Sequence, residues 1–375
     1  MAYVAVRGGE QAILHAEKLH HSLRGEPTTE LVRAIEVSLP YLLDRVMGEA
    51  AFYAPELAAL AIAQTGGDLY EAVLALRAYT STQPRIAYAE PVSAESMLTL
   101  RRISSAFKDI PGGQILGPTL DYSHRLLRLE VLNGDTVKES ETSLEPAENP
   151  APASYPLVAA WERAQGLLSP LQARRPTDVR DLPDVTREPM LFPAPRAHRL
   201  QALARADTGG LMTLAYSSMR GYGAGGHSNV NELRLGYAEV RLKHPVTGAV
   251  FSAGRVRFSQ CETVGTFSGQ TGKELGLGFC ATLGWNEAKL IGGATLDSAM
   301  DRAGAHPAQT EEFVLYHTEI MEASGFVLHW KLPHYVTFQS ALDSLRGARR
   351  RETAGDAGAP DLSATEQVVH QEVMS

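Results

Sequence analysis

Hydrophobic residues in the first hundred positions recur every three or four residues, which is the spacing of amphipathic helices. One helix that starts near residue 28 places Leu31, Ile35, Leu39 and Leu42 on a single face. Another begins at a capping residue, Asp68, which has a glutamate three positions later. The pattern predicts helices over residues 10–23, from 28 onward, and over 55–64, 68–79 and 93–107.

The rest of the chain mixes short apolar runs with helical spacing. The runs predict strands over residues 3–6, 126–132, 212–217, 233–242, 255–263 and 326–332. The helical spacing predicts helices over 155–168, 286–302, 309–323 and 335–346. Because strands and helices do not alternate regularly, we expect the α+β class rather than a doubly wound parallel sheet.

Shifts in composition divide the chain into four predicted segments. A mainly helical N-terminal domain covers residues 1–132, and an acidic, Pro-rich arm follows over 133–196. A mixed α/β domain occupies 197–346 and contains a histidine pair. The low-complexity tail over 347–375 is expected to be disordered.

Composition limits the function classes. The chain of 375 residues has a formal net charge of −8 and two cysteines, Cys261 and Cys280. These counts exclude a disulfide scaffold and a four-cysteine metal site, and they argue against general nucleic-acid binding. The sequence has no apolar signal-peptide core and no run of about 18 apolar residues, so we expect a cytoplasmic protein without a membrane span.

His329 and His334 lie in the run GFVLHWKLPHYVTFQ, at residues 325–339. A strand that ends in a proline turn could direct both imidazoles at one metal ion, most simply zinc. Two ligands are too few for a closed site, so others must come from elsewhere in the chain, with His317 the nearest, or from a partner. The alternative is one packed histidine beside Trp330 and one surface histidine.

A basic stretch lies at residues 101–128, inside an acidic chain. Five basic residues stand there against two acidic ones, and the loop KDIPGGQILGPT supplies Gly112 and Gly113. Glycines let backbone N–H groups approach an anion closely. The alternative is a tight turn with arginines on a solvated face. The basic residues are Arg101, Arg102, Lys108, Arg125 and Arg128.

Several motifs together resemble the PhnI subunit family of the bacterial carbon–phosphorus lyase system. The most specific blocks are KDIPGGQILGPTLDYSHRLL and GFVLHWKLPHYVTFQ, and LAYSSMRGYG and EEFVLYH also match. The resemblance extends from residue 3 to about 343. It is weakest over 133–190 and absent after Gly347.

The resemblance implies a function in phosphonate catabolism. Together with PhnG, PhnH and PhnL, such a subunit displaces adenine from ATP by methylphosphonate, which yields α-D-ribose 1-methylphosphonate 5-triphosphate. Alone, it would act as a purine nucleoside triphosphate nucleosidase. The implied assembly contains a second copy of the chain, PhnJ and the ATP-binding-cassette subunits PhnK and PhnL, and His329 and His334 would bind zinc at the contact with PhnJ.

The chemistry of that reaction assigns provisional roles. Substitution at an anomeric carbon passes through an oxocarbenium-like transition state, which a carboxylate stabilises. We therefore expect Asp121 to be that carboxylate and His124 to assist the departing purine. The triphosphate is assigned to four basic residues and to the Gly112–Gly113 turn. The basic residues are Arg101, Arg102, Lys108 and Arg125. Two other functions remain open, a non-catalytic scaffold that donates zinc ligands and a nucleoside triphosphate glycohydrolase unrelated to phosphonates.

Overall fold

The computed structural model describes residues 9–123, 125–134, 154–169, 181–220, 228–265, 273–302, 304–332 and 336–353. The chain packs as two units. One comprises Glu26–Ser324, and the other comprises the described parts of Met1–Gly25 and Gly325–Ser375.

The described helices and strands follow one another in a mixed order, which confirms the α+β class. The helices are α1 (Gly9–Arg24), α2 (Thr29–Ser38), α3 (Pro40–Ala50), α4 (Pro55–Gln64), α5 (Leu69–Ser81), α6 (Val158–Ala164), α7 (Arg196–Arg205), α8 (Thr208–Met219), α9 (Glu287–Met300), α10 (Glu311–His317), α11 (Ile320–Leu328) and α12 (Val336–Thr353). The strands are β1 (Leu98–Ile103), β2 (Asn229–Lys243), β3 (Val250–Gly265) and β4 (Gly276–Leu283).

Helices α2 to α5 pack around a shared core within the larger unit. The Asp68 carboxylate caps α5 by accepting from the N–H groups of Tyr70 at 3.0 Å and Glu71 at 3.3 Å, as predicted. The helix predicted from residue 28 is divided at Leu39, because Pro40 disfavours helical geometry at the residue before it. Apolar side chains such as Val46, Ala58 and Val73 close the core between these helices.

The described strands form one antiparallel sheet in the order β1-β2-β3-β4. Helix α9 covers this sheet with Leu290, Ala294 and Leu296, which pack in one cluster with the free cysteines Cys261 and Cys280. The strand β1 approaches β2 so closely at Gly236 that a Cβ there would lie 2.1 Å from the carbonyl oxygen of Leu98.

Four predicted elements are wrong. The helix predicted over 93–107 is a short 3₁₀ turn followed by β1, which is stabilised by its pairing with β2. The strand predicted over 212–217 lies inside α8, which Asp207 caps. The strand predicted over 126–132 is replaced by a 3₁₀ turn at Leu129–Asn133, and the one predicted over 326–332 by the end of α11 and a 3₁₀ turn at His329–Lys331.

Smaller differences concern element boundaries. The helix predicted over 309–323 is divided into α10 and α11, and the helix predicted over 155–168 is limited to α6. The expected disorder after residue 346 is wrong for its first residues, since α12 continues to Thr353. Strand β4 and helix α7 were not predicted. The strand predicted over 3–6, the tail after 353 and much of the predicted arm over 133–196 lie outside the described residues.

In the described ranges, no single helix is long and apolar enough to cross a membrane. Helices α3 and α4 pass that test only as a pair, with a bend of 96° between them.

A buried glutamate group lies between α6 and the middle of the sheet. Glu162, Glu232 and Glu262 are all buried, and the Asn231 amide donates to Glu162 at 2.7 Å and to Glu262 at 3.3 Å. Burial, together with the negative charge of Glu232, raises the pKa of Glu262 to about 7. Burial also raises the pKa of Glu162.

This geometry predicts that the protein loses stability as the pH rises from about 4.5 to about 7. In that interval the unfolded chain releases the Glu262 proton while the folded chain keeps it, so the free energy of unfolding falls, by up to about 3 kcal/mol. Replacing Glu262→Gln leaves a neutral side chain and should remove this part of the decline. Urea unfolding of both proteins at pH 5 and pH 7.5 measures the difference.

Glu239→Gln is the matched control, because Glu239 lies on the same strand pair but is exposed. Equal pH dependence in the wild type and in Glu262→Gln would contradict the assignment.

Candidate functional site

The two adjacent arginines of β1, Arg101 and Arg102, are both buried but make separate sets of contacts. Arg102 has no exposed surface, and its Nε lies 2.5 Å from Glu232 Oε1. Its Nη1 donates to the carbonyls of Pro111 at 2.9 Å and Gly113 at 2.6 Å, and its Nη2 donates to the carbonyl of Pro156 at 2.9 Å. Arg102 therefore holds the glycine loop against the sheet.

The glycine loop turns its carbonyls, rather than its N–H groups, toward the Arg102 guanidinium. Gly112 has a φ of +83°, and a Cβ there would lie 3.2 Å from the ring of Tyr155. The N–H of Gly113 donates to the carbonyl of Ile110 at 2.9 Å. Lys108 lies at the exposed start of this loop, where its carbonyl accepts from Gln114 at 3.0 Å.

Arg101 connects the same strand to the start of α9. Its Nε lies 2.5 Å from Glu287 Oε1, its Nη1 lies 3.3 Å from the Tyr122 hydroxyl, and it also donates to the carbonyl of Leu116. Burial lowers the pKa of Arg101, but the hydrogen bonds to Tyr122 and Glu287 outweigh that effect, and the pKa is raised. Arg101 is therefore fixed in its charged form beside Glu287.

Thr119 joins Glu287 to the predicted catalytic carboxylate. Its hydroxyl oxygen lies 3.0 Å from Glu287 Oε2 and 3.2 Å from Asp121 Oδ2. Asp121 also forms an ion pair with Arg125, and both of these side chains are exposed. We call Arg101, Thr119, Asp121, Arg125 and Glu287 the Asp121–Glu287 cluster.

The Asp121–Glu287 cluster brings two carboxylates close together, each paired with an arginine. It presents two carboxylates, and the hydroxyl of Thr119 can donate to either one. Asp121 is open to solvent, whereas Glu287 is largely covered and paired with a buried arginine. This difference leaves Asp121 as the more accessible of the two groups.

Sequence reasoning identified three members of this cluster and missed two. Arg101, Asp121 and Arg125 were expected, but Thr119 and Glu287 were not. A glutamate in the first turn of a helix is ordinary, because it complements the helix dipole, so Glu287 gave no distinct signal. The adjacent Trp285 donates its indole N–H to the carbonyl of Gly236 at 2.8 Å and so ties the start of α9 to the sheet.

The histidine predicted for a metal, His329, belongs to the smaller packing unit. Its Nδ1 contacts the carbonyl of Phe326, and its ring lies 5.4 Å from the rings of both Phe326 and Trp330. A carbonyl only accepts, so Nδ1 carries the proton in the neutral ring and Nε2 carries the lone pair. This is the tautomer found in many metal-binding histidines.

Two predicted site residues, His124 and His334, lie outside the described residues. In the part of the chain that is described, no group of three or more His, Cys, Asp or Glu residues could hold a metal ion. The third histidine considered, His317, stacks on Phe313 at 3.9 Å, and its Nδ1 lies 2.7 Å from that residue's carbonyl oxygen.

Comparison with known proteins identifies the family. Residues 2–352 match the family described as "Bacterial phosphonate metabolism protein (PhnI)". The chain is 44% identical over 371 residues to the putative C-P lyase subunit protein HtxH of Stutzerimonas stutzeri, over 94% of this chain and 98% of that protein. It is 41% identical to the alpha-D-ribose 1-methylphosphonate 5-triphosphate synthase subunits PhnI of Rhizobium meliloti (strain 1021) and Escherichia coli (strain K12). Those alignments cover 96% and 94% of this chain, and 98% and 100% of the two relatives.

These matches extend over nearly the whole chain and confirm the resemblance found in its motifs. The chain belongs to the PhnI family of bacterial phosphonate metabolism proteins.

Proposed function

We propose that this chain is a ribosyl-transferring subunit that forms α-D-ribose 1-methylphosphonate 5-triphosphate from ATP and methylphosphonate. Two relatives, from Rhizobium meliloti and Escherichia coli, are named as subunits of the synthase for this product. The single observation that supports the chemistry is the pair of carboxylates, Asp121 and Glu287, that Thr119 links. The resemblance supplies the partners PhnG, PhnH and PhnL.

The reaction exchanges one bond at the anomeric carbon for another. An oxygen of methylphosphonate forms a bond to ribose C1′, the bond from C1′ to adenine breaks, and adenine keeps its electron pair and takes up a proton. The positive charge that develops on the ribose is the feature a protein can stabilise. We assign this stabilisation to Asp121, with Glu287 and Thr119 holding it in position, and the proton on adenine to His124.

The basic residues divide into two groups in this proposal. Lys108 and Arg125 have exposed side chains and are assigned to the phosphates of ATP. Arg101 and Arg102 donate to protein groups, so we assign them to positioning, Arg101 for Glu287 and Arg102 for the Gly112–Gly113 loop. The loop would contribute by its shape to the wall of the site.

A scaffold function is the second candidate, and exposed apolar side chains favour it. Leu126, Leu127 and Leu132 are each about four-fifths exposed, and Leu120 and Tyr122 are more than half exposed. Apolar side chains this open to water are typical of surfaces that a partner covers. Because these side chains lie close to Asp121 in the sequence, on either side of it, a partner bound here would also exclude water from the Asp121–Glu287 cluster.

We also propose that His329 and His334 bind zinc, with the remaining ligands supplied by a partner such as PhnJ. The contact of His329 Nδ1 with a backbone carbonyl fits this assignment, because histidines that bind a metal commonly donate their other ring N–H to a carbonyl. Zinc at this place would cross-link the chain to its partner.

The carboxylate assignment predicts that Asp121→Asn lowers adenine release from ATP by about 100-fold or more, because it removes the negative charge that stabilises the oxocarbenium-like transition state. Glu287→Gln should also lower the rate, because it weakens the Thr119 contact that positions Asp121. The assay uses the chain with PhnG, PhnH, PhnL and methylphosphonate, and it measures free adenine.

Glu239→Gln removes an exposed carboxylate far along β2 and should leave the rate unchanged. Urea unfolding of each variant separates a lost carboxylate from a lost fold. Wild-type turnover by Asp121→Asn would exclude its catalytic function, and no adenine release in any mixture would favour the scaffold. Adenine release at the same rate with and without methylphosphonate would favour a nucleoside triphosphate glycohydrolase unrelated to phosphonates.

The zinc assignment predicts that His329→Ala removes zinc from the assembled complex, because the remaining ligands hold the metal less tightly. Metal analysis of the purified complex gives the zinc content per chain. His244→Ala is the control, since that exposed side chain lies in the turn between β2 and β3 and should leave the zinc content unchanged. Unchanged zinc in His329→Ala would contradict the assignment.

A further inference from the structure

A cavity of about 370 Å³ lies in the larger unit, apart from the residues assigned above, and four arginines line it. Arg77 comes from α5, Arg205 is the last residue of α7, and Arg85 and Arg187 lie in the connecting segments. We call it the arginine cavity. Its size lies at the lower end of the range of small-ligand sites.

The four arginine side chains differ in how deeply they are buried, from the inside of the cavity to its rim. Arg77 and Arg205 are largely buried, with 10% and 13% of the side chain exposed, whereas Arg85 and Arg187 have 30% and 53% exposed. Arg77 donates to the carbonyl of Glu49 at 2.7 Å and to that of Arg205 at 3.1 Å. The inner pair therefore also supports the fold, and the rim pair is open to a ligand.

The wall of this cavity is positively charged. Within the described residues, the ion pairs of these arginines involve two carboxylates. Glu319 pairs with Arg77 and lies 3.6 Å from Arg205, and Asp184 lies 2.6 Å from Arg85 and 3.8 Å from Arg187. Among the described residues, the wall of the arginine cavity itself contains four arginines and no carboxylate, whereas Glu188 and Glu322 line a neighbouring cavity.

Local hydrogen bonding satisfies the inner arginines only in part. Arg205 donates from Nη1 to the carbonyl of Val185 at 2.9 Å, but its Nε donates no hydrogen bond to any described residue. Burial together with the charge of Arg77 lowers the pKa of Arg205. The carbonyls at the C-terminal end of a helix carry partial negative charge, which repels an anion. In α5 this repulsion is reduced, because the hydroxyls of Thr80, Ser81 and Thr82 donate to carbonyls of its last turns. A bound anion would accept from these arginines and reduce their mutual repulsion.

A second cavity of about 280 Å³ adjoins the first, and Arg77 and Arg205 line both. One side of its wall is apolar, with Met190 beside the rings of Phe192 and Tyr316, which lie 5.2 Å apart edge to face. The same wall also carries Glu188, Glu319 and Glu322. The apolar side, next to the arginines, suits a ligand with a flat apolar part and an anionic part.

We infer that the arginine cavity binds the phosphate groups of a ligand that carries two or more phosphates, and that the adjoining cavity takes an apolar part where the ligand has one. Guanidiniums form paired, charge-assisted hydrogen bonds with phosphate, and clusters of them are the usual means of recognising it. This site is separate from the Asp121–Glu287 cluster and does not depend on the proposed ribosyl transfer.

Equilibrium binding to the full-length chain tests the inference without any turnover. The ligands are ATP, inorganic tripolyphosphate, orthophosphate and adenosine, measured by calorimetry. ATP and tripolyphosphate should both bind, and the double variant Arg85→Gln/Arg187→Gln should weaken both about tenfold or more. The rim pair is chosen because its removal leaves the inner contacts of Arg77 and Arg205 intact.

Two controls separate this site from general electrostatic attraction. Arg255→Gln removes an exposed arginine of β3 and should leave binding unchanged, and Arg85→Lys/Arg187→Lys keeps the charge and should retain part of the affinity. Tighter binding of ATP than of tripolyphosphate assigns the adjoining cavity to the nucleoside, and equal affinity assigns the site to phosphate alone.

Three results would overturn the inference: no binding of ATP or tripolyphosphate to the wild type, equal affinity in the Gln variant, or ATP binding without any tripolyphosphate binding. Because the readout is binding, failure here leaves the adenine-release experiment unaffected.

Discussion

The buried ion pair between Arg102 and Glu232 attaches the glycine loop and the segment at Pro156 to the paired strands β1 and β2. Arg102 lies on β1, Glu232 lies on β2, and Arg234 adds a second guanidinium 2.9 Å from the same carboxylate oxygen. The two arginines also donate to the carbonyls of the glycine loop and of residues 155 and 156. Removing one partner of such a pair leaves an uncompensated buried charge, which costs about 3–5 kcal/mol.

The ion pair between Arg102 and Glu232 also affects the candidate site. It fixes the glycine loop and keeps β1 paired with the sheet, so the neighbouring Arg101 can reach Glu287 at the start of α9. The side chains of two consecutive residues in a strand point to opposite faces. One arginine therefore supports the interior while the other positions the carboxylates, and both functions depend on the same short strand.

Local signals made some of the fold predictable from the sequence. The start of α4 at Pro55 and the cap of α5 at Asp68 need only nearby residues, and both were predicted correctly. Strand β1 was predicted as helix, because its pairing depends on Gly236, far along the chain, where the missing side chain admits the strand. Helix α8 was predicted as a strand, because a short apolar run does not distinguish the two.

The candidate site shows the same division between near and distant contacts. Arg101, Asp121 and Arg125 could be grouped from their closeness in sequence and their charge. Glu287 could not, since 168 positions separate it from Thr119 and only the folded sheet brings them within 3.0 Å. The arginine cavity was missed for the same reason, because its four members come from widely separated segments.

The position of Trp285 gives this protein a spectroscopic reporter of its own. The indole is bonded to the Gly236 carbonyl, lies under the Arg257 guanidinium at 4.8 Å, and precedes Glu287 by two residues. The chain has three tryptophans, and the other two, Trp161 and Trp330, lie near the buried glutamates and beside His329. With those two replaced by phenylalanine, the fluorescence emission wavelength of Trp285 would report changes in the packing of α9 against the sheet, without any added label.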